Sequence, residues 1–590
     1  MSGLDVAIIV AYFLGIVAVG LYFSRRAAKG MRAYFLGGNN LPWWALATSG
    51  AASNYDVTGT MFLVSLFYVA GLRSFWMLWS WHFLSAAFLM AYMAIWIRRT
   101  RVMTAVELLH IRFGADAGGR MARTAGAVLM VTFLVFSIGY AFVGISKFLP
   151  HIIPESVPGN GQIWAIVLMA LTTLYVTAGG LSGVVATALI QAVLMSLAGL
   201  LVGVVVFLKL DPDMLQILHQ NFDINMLPQA KLSMPEGYED WNNFGVLCLF
   251  WFIAGFLLNA SGAGGHYQEQ RFLATRSETD AARTGCAWGF FLIPRWAMIA
   301  GFCFVAGSGM VGSEDPEQIL PIVLTDMIPS GLRGLILAAL IAAFMSTFSS
   351  VINAAASMVV RDLVHPFRPS LSDKAQVRLS YLVTVAAVLL GIVAGYNAET
   401  IRSIWTWMII GLIGGTLIPN VLRWHWWRLN GWGYSAGIFL GLITALLVRF
   451  NVFGENPPEY FYAPVVWAMT LLGCVLGSFL TAPTKTETLE HFYNSVRPFG
   501  FWGPIKARVN VSGLEPGVDR PLIRVIFNVV LAVVCMTSSF VSTFFVIGHF
   551  GRESIITISL AVTSGIVLYF NWYRPLIRGE KENQKNECFE

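Results

Sequence analysis

Residues Thr48-Ser-Gly-Ala-Ala-Ser-Asn-Tyr-Asp-Val-Thr-Gly-Thr60 lie inside an apolar run that extends from about residue 42 to residue 70. A run of this length crosses the ~30 Å hydrocarbon core of a bilayer as a helix, and here small polar residues and an aspartate interrupt it. A second run, near 243–265, ends in Asn259-Ala-Ser-Gly-Ala-Gly-Gly265. Leaving aside the first helix, each interrupted run opens a set of five apolar runs, at about 42–209 and 243–426. Five is odd, so the second set enters the membrane from the opposite face, which makes an inverted-topology repeat. Interrupted helices in corresponding positions then point to a binding site near the bilayer midplane. Glycine and serine at close helix crossings are the competing reading for either run alone; their matching positions weigh against it.

The composition agrees with a chain solvated by lipid. Of 590 residues, 57% are hydrophobic and only 12% charged, with a mean hydropathy of +0.68. Soluble domains carry about 25% charge, which excludes an ordinary soluble enzyme. About fifteen apolar runs recur from residue 4 to residue 573, so the expected fold class is all-α, a polytopic membrane protein. The net charge of +6 comes with no nucleic-acid motif. Six cysteines form no CxxC pair and read as buried neutral thiols.

Lysine and arginine in short loops give an orientation. With the N-terminus outside, the inner loops hold Arg25, Arg26, Lys29 and Arg32, then Arg98 to Arg123, Arg271 to Arg283, Arg361 to Arg378, Arg423, Arg428 and the basic residues after 483. That is about 29 of the 38 cations; the outer side has about eight. A C-terminus inside and an odd helix number follow. The first run precedes its basic cluster, the reverse of a cleavable signal, and is expected to remain as a helix. The expected divisions are an extra helix and first inner loop at 1–35, a first repeat at 36–210, and an acidic outer loop at 211–242. A second repeat at 243–430 and two further helices at 431–483 follow. A polar cytoplasmic loop is expected at 484–520, and two last helices with a tail at 521–590.

The run Ala338-Ala-Leu-Ile-Ala-Ala-Phe-Met-Ser-Thr-Phe-Ser-Ser350 carries the most chemistry. Ala343, Ser346 and Thr347 stand at i, i+3 and i+4, so one helix face presents two hydroxyls and a carbonyl. A small hard cation takes an oxygen cage of this kind. Carbonyls from an unwound stretch at Asn54 to Val57 would complete a dry sodium site; hydroxyls back-bonding to i−4 carbonyls are the alternative. Asp56 is an intramembrane carboxylate and therefore a functional candidate, or else a cap on the second half-helix. Tyr55 and Thr58 flank it. Arg295, after Pro294 near the middle of a helix, is a cavity or gating candidate. His82, Asn259 and Trp405 are further candidates for contact with solute, and Gln191 is expected to bond across helices. Trp424, Trp426 and Trp427 border basic residues and read as interfacial anchors.

The chain resembles the sodium:solute symporter family, which includes proline symporters and sodium-glucose cotransporters. The likeness covers roughly residues 1 to 432. It rests on Tyr34-Phe-Leu-Gly-Gly, Leu41-Pro-Trp-Trp, Glu107-Leu-Leu-His-Ile-Arg-Phe-Gly114, Tyr175-Val-Thr-Ala-Gly-Gly-Leu-Ser-Gly-Val, Gln270-Arg-Phe-Leu-Ala, Ala343-Phe-Met-Ser-Thr and Leu422-Arg-Trp-His-Trp-Trp-Arg428, in this order. The resemblance implies a leucine-transporter-like fold, alternating access and sodium-driven solute uptake. It also implies a sodium site made by the carbonyls of Asn54, Val57 and Ala343 and the hydroxyls of Ser346 and Thr347. Where many relatives carry an aspartate associated with a further sodium, this chain has Ala188, which favours one sodium per solute.

The expectation is thus a plasma-membrane symporter with Na+ as coupling ion. Its partners are a small polar solute (sugar, polyol or amino acid) and the lipid bilayer, with no nucleic acid and no obligate protein partner. Two rivals are a proton-coupled carrier using Asp56 and a membrane sensor that does not transport. An intramembrane enzyme is disfavoured, since the sequence holds neither HExxH nor GxSxG.

Overall fold

The computed structural model describes the chain apart from residues 1, 28–40, 80–82, 105, 154–156, 223, 228, 235–237, 263–268, 309–314, 367, 397, 399, 450–457, 510–520 and 588–590. Among the described residues it is helical, with no β-strand, and ten helices are long and apolar enough to cross a membrane. Three shorter apolar helices accompany them.

The first helix, α1 (Gly3–Ala27), precedes the first broken helix, which is α2 (Trp43–Ala52) and α3 (Val57–Ala70). Then come α4 (Ala117–Phe148) and α5 (Gly161–Lys209). The second broken helix begins with α6 (Phe244–Ala260) and continues as α7 (Glu269–Leu273); it is followed by α8 (Glu278–Phe290), α9 (Ile293–Gly307), α10 (Leu332–Met358) and α11 (Asp373–Tyr396). Residues 401–425 close the second set, their last part being α12 (Gly414–His425) with Pro419 inside it. Outside the repeats lie α13 (Gly431–Arg449), α14 (Glu459–Phe479), α15 (Thr486–Val496), α16 (Leu522–Ile547) and α17 (Gly551–Leu568).

α5 contains 49 residues. A straight helix of that size would reach about 74 Å, more than twice the hydrocarbon thickness. Both of its ends lie at one face of the molecule. Beside Gly161, at the end of α4, Lys147 pairs with Glu317 at 2.8 Å; residues 316–318 pack on α3. Just beyond α3, the Trp76 indole donates to the carbonyl of Met226, past Lys209. The helix is therefore bent between its two arms rather than straight.

The basic loops gather on the opposite face. Arg99 bonds Glu278 at 2.8 Å and the Val496 carbonyl at 3.1 Å, Arg123 meets Asp362 at 3.1 Å, and Arg361 meets Glu107 at 3.6 Å. α1 is part of the scaffold: the buried Asp5 carboxylate accepts the N–H groups of Gly331 at 2.7 Å and Gly334 at 2.8 Å. A carboxylate at this place satisfies donors that the start of α10 leaves open.

Two expectations need correction. The run near 284–308 forms a single span, Glu278–Gly307, but a turn at Phe291 and Leu292 interrupts its helix, α8 stopping at Phe290 and α9 starting at Ile293. Pro294 and Arg295 occupy the first turn of α9 rather than the middle of a helix, where proline lacks no needed N–H. The segment 484–520 is not a plain loop. α15 buries Leu489, Phe492, Tyr493 and Val496, an i, i+3, i+4, i+7 stripe, and Trp502 beyond it is 2% exposed.

Candidate functional site

α2 ends because Ser53 and Asn54 turn and Tyr55 and Asp56 leave the helix, and α3 resumes at Val57. Asp56 is its N-cap, its side chain accepting the Gly59 N–H. The Asp56 backbone carbonyl accepts Thr60 N at 3.0 Å and Thr60 Oγ1 at 2.7 Å, and the Tyr55 carbonyl accepts the same hydroxyl at 2.9 Å. Val57 is thus the first residue of a helix rather than part of the unwound stretch, which spans Ser53 to Asp56.

α10 faces this break. Thr347 Oγ1 donates to the carbonyl of Ser53 at 2.6 Å, a carbonyl that sequence reasoning did not single out. One residue earlier, Ser346 is 0% exposed and its hydroxyl has no hydrogen-bond partner among the described residues. Leaving a buried hydroxyl unsatisfied costs about 1–3 kcal/mol. Its own backbone carbonyl is engaged instead by Ser349 and Ser350, each at 2.9 Å. Ala343 is buried one turn before Thr347. Ala343, Ser346 and Thr347 share the stretch of α10 whose Thr347 meets the first break, and the hydroxyls and backbone carbonyls there are neutral oxygens.

Arg271, which the sequence presents as an inner-loop cation within a motif, lies close by. Its guanidinium is 2% exposed, donates to Ser49 Oγ of α2 at 3.2 Å and to Ser350 Oγ of α10 at 2.8 Å, and packs over Trp288. It ties both repeats together one helical turn from Ser346.

The other candidates divide. Tyr55 is buried, its hydroxyl 3.4 Å from the Phe291 carbonyl at the start of the α8–α9 gap. Arg295 is 2% exposed, reaches Thr60 Oγ1 at 3.5 Å and lies within electrostatic range of Asp56. Thr58 packs on Gly144 of α4, where a Cβ would collide with its hydroxyl. Trp405 joins Phe62 and Tyr140 in an aromatic cluster, with ring centroids 6.2 and 5.4 Å away. Asn259 back-bonds to the Gly255 carbonyl at 2.7 Å. Gln191 bonds Tyr12 of α1 at 3.0 Å, across helices. His82, Ala263 to Gly265 and the Tyr34 motif lie outside the described residues.

The second break is built differently. α6 ends in a turn at Ser261 and Gly262, with Gly262 at φ +89, a conformation that favours glycine. The Ser261 carbonyl accepts Trp424 Nε1 at 3.0 Å and Arg423 Nη2 at 3.4 Å. Trp424 is 0% exposed, so it is not the interfacial anchor its neighbours suggested. Its carbonyl accepts Trp502 Nε1 at 2.8 Å, which links the segment after α15 to the break. Arg112 is buried against the end of α12, donating to the carbonyls of Arg423 at 2.8 Å and Trp426 at 2.9 Å and lying 4.9 Å over Trp502. Burial pulls its guanidinium down to about 9, which leaves it charged at neutral pH.

Comparison with known proteins settles the family. The family model of the sodium:solute symporter family matches residues 34–441. The chain belongs to the sodium:solute symporter family. It is 26% identical over 504 residues to the sodium/sialic acid symporter NanT of Aliivibrio fischeri, covering 81% of this chain and 93% of that one. Sodium/glucose cotransporter 4 of Danio rerio is 22% identical over 536 residues, covering 83% of this chain and 80% of the relative. The solved structure of a Na+-coupled sialic acid symporter in a substrate-bound outward-open state superposes with a TM-score of 0.66 at 21% identity, covering 82% of this chain and 99% of that chain. This symporter thus has the inverted-repeat fold expected from its two broken helices. It is a sodium-coupled secondary transporter of a small solute rather than an enzyme, and alternating access fits its fold.

Proposed function

We propose that the transported sodium ion binds between the first break and α10, held by the hydroxyls of Ser346 and Thr347 and the carbonyls of Asn54, Val57 and Ala343. The observation that carries this reading is the buried Ser346 hydroxyl with no partner, beside a Thr347 hydroxyl already aimed at the Ser53 carbonyl. An ion there would recover the cost of the unsatisfied oxygen. Because it would join α10 of the second repeat to the break of the first, it would favour the conformer in which the two are close; a ligand shifts such an equilibrium only by its differential affinity.

The solute is a small, neutral, hydroxyl-rich molecule, a sugar or polyol, with amino acids as the second class. Asp56 caps α3 by accepting the Gly59 N–H, so its carboxylate is engaged by the helix rather than free for an ionic substrate. Tyr55 and Thr58 sit on the same stretch, and Trp405 with Tyr140 offers aromatic surface nearby. The names of the relatives, glucose and sialic acid symporters, agree with a polyhydroxylated solute. One sodium accompanies each solute, since Ala188 supplies no carboxylate. The Arg-rich face is cytoplasmic in a plasma membrane, with the N-terminus outside and the C-terminus inside.

The test is uptake by purified protein in liposomes against labelled sugars, polyols, amino acids and carboxylates, with and without an inward sodium gradient. Sodium-stimulated uptake of one hydroxyl-rich solute supports the reading. Uptake that ignores sodium and follows an imposed pH gradient contradicts it.

A further inference from the structure

On the Arg-rich face, a groove of about 530 Å³ runs between the end of α12, the flank of α14 and the stretch of chain that follows α15. Its walls include Leu422, Trp426, Trp427, Leu471, Val475 and Phe501. The far wall is held in place by backbone bonds: Phe501 N donates to the His425 carbonyl at 2.7 Å and Trp427 N donates to the Phe501 carbonyl at 3.2 Å. Phe501 is nevertheless 76% exposed, a large ring presented outward from a rigid mount.

The groove opens onto a membrane-facing surface. α14 is apolar enough to cross a bilayer, and Leu471, Leu472, Leu476 and Phe479 on it are 43 to 61% exposed. Cations follow the wall residues closely in sequence. Arg428, next to Trp427, lies 5.4 Å over Phe479, which also packs on Trp426; it bonds the Thr481 carbonyl at 3.2 Å, but its Nη1 is buried without a partner. Lys506 and Arg508 follow the wall residue Pro504 within four positions and are exposed. Among the described residues none of these three cations is paired with a carboxylate.

We propose that this groove is a binding site for one anionic phospholipid, with an acyl chain between Phe501, Trp427 and Leu471 and the phosphate at Arg428, assisted by Lys506 and Arg508. An apolar slot continuous with the hydrocarbon suits an acyl chain. Three cations with no carboxylate partner among the described residues suit a head group with net negative charge, because basic pockets at a membrane face select such lipids and a guanidinium pairs well with phosphate. The bound lipid seals the segment around Phe501 against α14. That segment carries Trp502, which is bonded to Trp424 and through it to the second break, so the lipid sits at one end of a hydrogen-bonded chain that leads into the transport core.

The test uses the full chain, reconstituted with an equal mixture of phosphatidylglycerol and phosphatidylcholine, re-extracted in mild detergent and weighed by native mass spectrometry. The wild type is expected to retain one phosphatidylglycerol at least tenfold over phosphatidylcholine. Val475→Trp, which fills the groove and leaves the cations in place, is expected to lose the retained lipid. Arg428→Gln is expected to bring the preference to within twofold, and the exposed Lys506→Gln, which carries no folding risk, to lower it about threefold. Equal retention of both lipids by the wild type, or wild-type retention in Val475→Trp or in both charge variants, would overturn the proposal.

Discussion

At the first break the Ser53 carbonyl receives a hydroxyl from Thr347, with the unpartnered Ser346 hydroxyl beside it; at the second, the Ser261 carbonyl receives an indole and a guanidinium. Each break releases carbonyls that a continuous helix would have used, and each finds partners for them on a helix of the second repeat. The partners differ in one respect that decides function. A hydroxyl donates one hydrogen and keeps lone pairs for a cation, whereas indole and guanidinium nitrogens donate and have nothing to offer a metal. The first break is the one we propose for sodium. The second is bolted, and its bolt continues through Trp502 to the segment after α15. On the proposed reading, pseudo-symmetric backbones serve as an ion site in one repeat and a structural joint in the other.

The largest effect is expected where the first break would meet its ion. Ser346→Ala with Thr347→Ala removes two oxygens from a charged ligand, about 3 kcal/mol or roughly a hundredfold in sodium affinity, and is expected to take sodium-driven uptake to background. An unchanged sodium dependence of uptake would dissolve the distinction between the breaks.

Trp424→Phe probes the bolt. It keeps the ring but removes the N–H from a buried carbonyl, costing about 1–2 kcal/mol. The melting temperature is expected to fall by a few degrees while the sodium concentration for half-maximal uptake stays within twofold. A change in sodium affinity as large as that of the hydroxyl variants would mean that both breaks bind the ion.

Asp56 offers the smallest and finest test. Asparagine caps a helix nearly as well as aspartate, and alanine does not. If the carboxylate serves first as the cap of α3, Asp56→Asn is expected to be about 1 kcal/mol more stable than Asp56→Ala in denaturation of the detergent-solubilised protein. Equal losses would assign its role to charge, opposite Arg295.

Much of this was legible in the residues. Small and polar side chains inside apolar runs marked both breaks, and the i, i+3, i+4 spacing of Ala343, Ser346 and Thr347 marked the face that meets the first. What stayed hidden was direction and distant partnership. Trp424 stands among cations at the end of an apolar run, as an interfacial anchor does, and its partner Ser261 is 163 residues away. Arg271 and Arg112 read as loop cations because nothing local shows that each is enclosed by another element. Ser53 escaped notice because a carbonyl has no residue identity. α15 was overlooked inside a polar segment although Leu489, Phe492, Tyr493 and Val496 carry a helical period. In a helix buried on all sides, apolar periodicity fades, so sequence alone ranks the helices better than it orients their faces.

The central claim is that Ser346 keeps a hydroxyl unsatisfied for sodium. The most direct measurement is thermal unfolding of wild type and Ser346→Ala in sodium and in choline at equal ionic strength. The account predicts that sodium stabilises the wild type, that the variant loses most of this shift, and that in choline the variant is at least as stable as the wild type, because it no longer buries an unpartnered oxygen. A variant that keeps the full sodium shift, or that is destabilised equally in both salts, would contradict it.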